Sequence, residues 1–277
     1  MGETVEMIDL HTHILPGLDD GAQTIEESIQ MCLVSYMDGV KTIIATPHIL
    51  NGIYHNNRRT ILAKVQELNL ALYQCGMRIA ECGLQNQKFS KNSEFRIPNS
   101  ELRVLPGADV HFSPDILQRY AQGEIETLID GGRFLMIEFP FQGIPYKAEE
   151  VLFQLLTRRI IPIISHPERN LGFIHSPQRY YEIIRMGCLG QVTAMSLTGG
   201  FGFLTRVVAE KMLIHRLLHF IASDAHSVNG RPPILSPAVK VAGKILGEKE
   251  ALKMVTEYPQ AILEGQRPNV PEPIPFG

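Results

Sequence analysis

Seven times along this chain an apolar run of five to seven residues, most clearly β-branched at 41–46, gives way to a loop and then to a helical pattern. Parallel strands need long crossover connections, so this alternation predicts a parallel sheet, closed or nearly closed into a barrel. The runs fall at 5–10, 41–46, 102–108, 133–137, 160–165, 189–193 and 219–223, with one more candidate strand at 78–82. Between them, Thr24-Ile25-Glu26-Glu27 offers a capping box for a helix to about Asp38. A second helix is expected over 58–74, with Leu62, Val65, Leu68 and Leu72 on one face. Further helices are expected from Pro114, over 147–158, 177–186, 203–218, 235–246 and 249–263.

Where each run stops, a metal-binding residue type tends to stand. His11 and His13 close the first run, Asp20 lies in the loop after it, and His48, Asp109, Glu138 and His166 follow later runs. Asp224 and His226 follow the last. In α/β barrels the C-terminal ends of the strands carry the chemistry, which places all nine on one rim. Residues two apart on a strand share a face, so His11 and His13 can turn toward one ion. Taken singly each has a bland reading: a solvated histidine, a turn-capping Asp20, an ion-paired Glu138, a hydrogen-bonded core His166. The bland reading would have to hold separately at every rim position.

These donors are nitrogen and oxygen with no thiolate, a set suited to manganese, iron or zinc at a catalytic site. Nine exceed what one ion needs, so two or three ions sharing carboxylates are expected. Such a cluster activates water and neutralises the oxygens of a group under attack, which implies hydrolysis. Arg169 and Arg231 lie close in sequence to these donors, and a guanidinium matches phosphate oxygens bidentately. That tilts the substrate toward phosphate esters, although a surface salt bridge is the plain alternative for either arginine. For Arg58 and Arg59 a helix-surface role is expected.

Composition narrows the remaining classes. With 277 residues and 44% hydrophobic side chains the chain can bury a full core. No internal stretch reads as a linker, so one domain is expected over 1–265, followed by a proline-rich tail over 266–277 that is extended or disordered. A net charge of −3 leaves no basic footprint for nucleic acid. Cys32, Cys75, Cys82 and Cys188 form no CxxC pair, and none has the arginine six positions later that a thiol-based phosphatase loop requires. Reduced thiols, no signal peptide and no bilayer-length apolar run lead to the expectation of a cytoplasmic protein without membrane insertion. Residues 83–100 read as a polar insertion loop.

The ordered motifs MIDLHTH, DDGA at 19–22, ATPH at 45–48, GADVH at 107–111, IEFP at 137–140, SHPER at 165–169 and ASDAH with GRPP at 222–233 resemble the PHP (polymerase and histidinol phosphatase) superfamily. Within it they are most similar to the metal-dependent protein-tyrosine phosphatases of bacterial capsule and exopolysaccharide operons, over residues 5–263. The resemblance implies a distorted (β/α)7 barrel, TIM-like, with manganese in a trinuclear site. It implies that His11, His13 and Asp224 hold one ion and that Asp109 bridges to a second, taken by Glu138 and His166. Asp20, His48 and His226 would hold the third, Asp20 being preferred to Asp19 because the family's ligand directly precedes the loop glycine. Arg169 and Arg231 would grip the phosphate. Asp109 is a departure, since the family usually carries Glu there. The implied substrate is phosphotyrosine on the tail of a polysaccharide-export tyrosine autokinase. Two alternatives stand beside it: a phosphatase of a small ester such as histidinol phosphate, and a metal-poor module that binds and regulates a partner. Oligomeric state is not legible, and a homo-oligomer stays open.

Overall fold

Parallel strands covered on both faces should be buried along their whole length, and a computed structural model of the protein, which describes residues 6–50, 52–75 and 101–276, shows this for several of them. Every residue of β1 (Met7–Thr12), β7 (Ile161–Ser165) and β8 (Leu189–Thr193) is buried. The other strands are β2 (Val40–Ala45), β3 (His48–Ile49), β4 (Arg103–Pro106), β5 (Asp109–His111), β6 (Phe134–Glu138) and β9 (Phe220–Ala222). All pair in parallel, in a three-stranded sheet of order β1-β2-β4 and a six-stranded sheet of order β3-β5-β6-β7-β8-β9. The chain is thus an α/β fold built on parallel sheets.

Two breaks in otherwise continuous segments divide the sheets. Pro47 separates β2 from β3, and Gly107-Ala108 separates β4 from β5. Proline has no N–H for the ladder. At Gly107 a Cβ would come within 2.7 Å of Ile44 Cγ2, so the close approach there requires glycine. On the other side β9 meets β1: the Asp224 N–H donates to His11 O and the His13 N–H to Ala225 O, each at 2.8 Å.

The helices are α1 (Ile25–Met37), α2 (Arg58–Cys75), α3 (Ile116–Ala121), α4 (Ala148–Thr157), α5 (Leu171–His175), α6 (Pro177–Met186), α7 (Ala194–Thr198), α8 (Phe203–Ile214), α9 (Ser236–Leu246), α10 (Glu248–Lys253) and α11 (Glu257–Leu263). At α1 the Thr24 hydroxyl accepts from the Glu27 N–H, but the Glu27 carboxylate reaches the Gln23 N–H, one residue beyond the reciprocal box expected. The single helix expected over 249–263 is two, separated at Met254–Thr256. α8 ends four residues early, where Arg216 takes a left-handed backbone (φ 57°) that a helix cannot continue through. The candidate strand at 78–82 and the loop at 83–100 lie outside the described residues. The proline-rich segment carries no helix or strand over 266–276 and lies against the fold: the Arg267 guanidinium donates to Gly187 O, and the Ile274 N–H to His215 O. Among the described residues no helix is long and apolar enough to cross a membrane.

Candidate metal centre

β1 delivers two imidazoles to one point. His11 and His13 are fully buried, with their Nε2 atoms 3.1 Å apart. Each ring is fixed from behind: His11 Nδ1 lies 3.0 Å from Gln191 Oε1, and His13 Nδ1 lies 2.6 Å from Asp19 Oδ2. Such partners set the tautomer and leave Nε2 facing the ion side. The Asp19 carboxylate also accepts from the Gly21 and His48 N–H groups, which ties the first loop to the second. Gly21 is obligatory there, because a Cβ would fall 1.9 Å from His13 O.

The other strands bring carboxylates. Asp224 Oδ1 lies 3.5 Å from His11 Nε2 and 3.4 Å from His13 Nε2. Asp109 Oδ2 lies 3.7 Å from His11 Nε2, 3.7 Å from His48 Nδ1 and 3.8 Å from His166 Nε2. Glu138 lies 3.6 Å from both His48 and His166. Asp20, half exposed, is 3.7 Å from His48 Nε2 and 3.5 Å from His226 Nε2. His166 (φ 34°) and Asp224 (φ 51°) adopt left-handed backbone at the ends of β7 and β9. That conformation is uncommon outside glycine and clusters at functional sites.

These contacts are too long for hydrogen bonds. They match the gaps between ligands that each stand ~2.0–2.2 Å from a shared ion. Three groups have ligand atoms within 4.8 Å of one another: His11, His13 and Asp224; His13, Asp20, His48 and His226; and His48, Asp109 and Glu138. The family resemblance implies one group each for His48 and His13, whereas here each stands in two. His166 stands beside Asp109 and Glu138 but outside that tight triplet. Asp109 Oδ2 and His48 Nδ1 are buried without a hydrogen-bond partner, as atoms reserved for a cation would be. The nitrogen and oxygen donors and these unpartnered atoms fit metal ions.

The electrostatics agree. Burial, with Glu138 and Asp224 nearby, pushes the Asp109 carboxyl well above its ordinary range, so its charged form needs a cation. Burial pushes the His11 pKa down to about 3, and burial with the Arg169 charge lowers His166. Neutral imidazole is the form that binds metal. For His13 burial works against protonation, but Asp19 and Asp224 outweigh it and raise the pKa to about 10. Burial disfavours the Asp224 carboxylate as well, yet Arg169 and His11 outweigh it and hold its pKa well down.

Arg169 donates through Nη2 to Asp224 Oδ2 at 2.8 Å, and Arg231 Nη2 forms an ion pair with the same oxygen at 2.5 Å. Their Nε atoms are buried and have no partner. Both line a cavity of about 810 Å3 with Asp20, His48, Glu138, His166 and His226. Arg58 instead pairs with Asp130 at 2.6 Å, away from this cavity. Sequence reasoning weighed Asp19 only as an alternative ligand, not as the support for His13, and missed the supporting groups Gln191, Ser165 and Thr193. Ser165 donates to Asp109 at 3.0 Å, and Thr193 lies 3.4 Å from Asp224.

A parallel-sheet α/β fold with clustered imidazoles and carboxylates at its strand ends defines a metallohydrolase-type centre. The model of the family "Capsular polysaccharide synthesis, CpsB/CapC" matches residues 7–84 and 80–264, and the chain belongs to that family. The tyrosine-protein phosphatase YwqE of Bacillus subtilis is 33% identical over 260 residues, covering 94% of this chain and 92% of its own. The tyrosine-protein phosphatase CpsB of Streptococcus pneumoniae is 29% identical over 265 residues, covering 94% and 99%. Among solved structures, those of B. subtilis YwqE and S. pneumoniae CpsB, described as metal-dependent tyrosine phosphatases, provide a chain with TM-score 0.85 and 32% identity, covering 98% of this chain and 100% of that one. A histidinol phosphate phosphatase from Lactococcus lactis shares the fold at TM-score 0.52 and 12% identity.

Proposed function

We propose that this protein is a metal-dependent phosphatase that hydrolyses phosphotyrosine on a protein, a polysaccharide-export tyrosine autokinase. The observation that carries this reading is the clustering of eight nitrogen and oxygen donors, with His166 beside Asp109 and Glu138, next to a cavity that Arg169 and Arg231 also line. We take His11, His13, Asp20, His48, Asp109, Glu138, His166, Asp224 and His226 as the ligands of manganese, in up to three ions. Ions held there supply an activated water and neutralise phosphoryl oxygens. Asp19 and Gln191 orient the His13 and His11 rings, and Ser165 steadies Asp109. Arg169 and Arg231, anchored on Asp224, present their remaining N–H groups to the phosphoryl oxygens and favour the charge gathering there in the transition state. The leaving phenol has an ordinary pKa near ~10, so departure needs little proton assistance.

The same reading takes the two sheets as one distorted seven-stranded barrel, supported by the β1–β9 hydrogen bonds and by the short breaks at Pro47 and Gly107. It also takes the phosphatase unit as residues 1–265 with 266–277 as a tail, and the protein as cytoplasmic, where such a kinase tail would lie. The names of YwqE and CpsB support the phosphotyrosine assignment. The test is hydrolysis of a tyrosine-phosphorylated peptide and of histidinol phosphate by chelator-stripped protein, with and without Mn2+. Release of phosphate from the peptide alone, restored by Mn2+, is expected. Release from histidinol phosphate alone would move the assignment to small esters, and no release with manganese bound would remove it.

A further inference from the structure

The cavity above the donor cluster has two unlike faces, and phosphate chemistry uses only one. Its volume of about 810 Å3 lies in the ~300–1,000 Å3 range of pockets that enclose drug-sized ligands, more than one phosphorylated phenyl ring fills. Away from the imidazoles and carboxylates, its lining includes Phe141, Leu171, Ile174, Phe201, Leu204 and Val207. Leu204 is 78% exposed and Phe141 60% exposed. Ligand pockets are lined mainly by apolar and aromatic side chains, with a few placed polar groups fixing orientation.

Local geometry explains how this wall reaches the chemistry. Leu171 and Ile174 are three apart on α5, and Leu204 and Val207 are three apart on α8, so each pair forms one ridge on its helix. Phe201 sits between Gly199 (φ 84°) and Gly202 (φ 92°), in the turn that leads into α8. The Arg169 guanidinium lies 5.0 Å from the Phe201 ring centre and the Arg231 guanidinium 5.7 Å. Phe201 therefore joins the phosphate-facing arginines to the apolar wall. Outside the donor cluster and these two arginines, His175 is the one ionisable residue lining the cavity among the described residues. An acidic flank on a substrate would meet no lysine there.

We propose that this wall is a specificity subsite for an apolar side chain adjacent to the phosphotyrosine, so that protein substrates are chosen by the residues flanking the phosphorylated position. The inference rests on the phosphotyrosine reading above. The flanking side chain packs on Leu204, Val207 and Ile174 while the phosphoryl group meets Arg169 and Arg231.

Its test compares three substrates with Mn2+-supplied protein: two phosphotyrosine peptides differing only in leucine or serine beside the phosphotyrosine, and phenyl phosphate, which carries no flanking residue. The leucine peptide should show a kcat/KM higher by about tenfold or more, carried by KM, the scale on which apolar contacts discriminate. Leu204→Asp, at a mostly exposed position, should erase that preference and leave phenyl phosphate turnover unchanged. Equal kcat/KM for the two peptides with wild-type protein would overturn the subsite. So would a Leu204→Asp variant that slows all three substrates alike. Phenyl phosphate turned over with neither peptide accepted would instead remove the phosphotyrosine-protein reading, and the subsite with it.

Discussion

Asp19 shows how much of the centre is set by residues that touch no ion in the proposed arrangement. One carboxylate orients His13, accepts from the Gly21 N–H and accepts from the His48 N–H, so it fixes two ligand-bearing segments at once. Replacing the orienting carboxylate behind a metal-binding histidine costs about 10–100-fold in metal affinity or activity. Asp19→Asn should therefore lower manganese affinity by that amount, which titration of the chelator-stripped protein would measure. The raised pKa of His13, about 10 in the metal-free protein, has a second consequence. A histidine whose folded pKa exceeds its unfolded value of ~6.5 stabilises fully below that value and loses the contribution as pH rises through the folded one. Metal-free protein should lose thermal stability between about pH 6.5 and 10. With manganese bound the decline should be shallower, because an ion at Nε2 replaces the proton. Equal slopes with and without metal would argue against His13 as a ligand.

At the scale of elements, the short turn after β7 must hold His166 and Arg169 against the end of β8. Glu168, fully buried, does this by accepting from the Thr193 N–H at 3.1 Å and the Ser196 hydroxyl at 2.6 Å. Burial raises its pKa, and a glutamine would keep the oxygen that accepts both bonds. Glu168→Gln should fold with little change, while Glu168→Ala leaves two buried donors unpaired, at about 1–3 kcal/mol each. Urea denaturation of the two variants would separate these outcomes. This anchoring was not legible in the sequence, because Thr193 and Ser196 come from a different strand-helix unit. Long periodic elements were legible: α6 and β8 occupy the expected residues, since a proline opens one and a β-branched run fills part of the other. The five-residue helices α5 and α7 were not, because so few residues complete little more than one turn and show no period. The placing of polar donors at strand ends was legible from alternation alone. That His48 and His13 each stand within reach of two donor groups was not, because the way they project depends on β-pairing and on Asp19.

For the whole molecule, the centre is a staple. Its ligand candidates come from β1 and the loop after it, β3, β5, β6 and the turns after β7 and β9, and one set of ions would bind them all. A ligand that binds only the folded state stabilises it by about 2.7 kcal/mol at one hundred times its dissociation constant. At about 2–4 °C per kcal/mol for chains of 150–250 residues, manganese should raise the melting temperature of stripped protein by roughly 5 °C or more. A melting curve unmoved by manganese would leave the metal-poor binding module as the better account of the fold. The seam between β1 and β9 carries one more consequence, for how the protein is made. His11 and Asp224 stand more than 200 residues apart, and at ~5–20 residues per second the ribosome needs about 10–40 s to pass from one to the other. The nascent chain exposes His11 and His13 long before their carboxylate partner exists. Loading of the centre is therefore completed only after β9 has emerged, and a chain that stops short of Asp224 lacks the carboxylate that joins the two histidines.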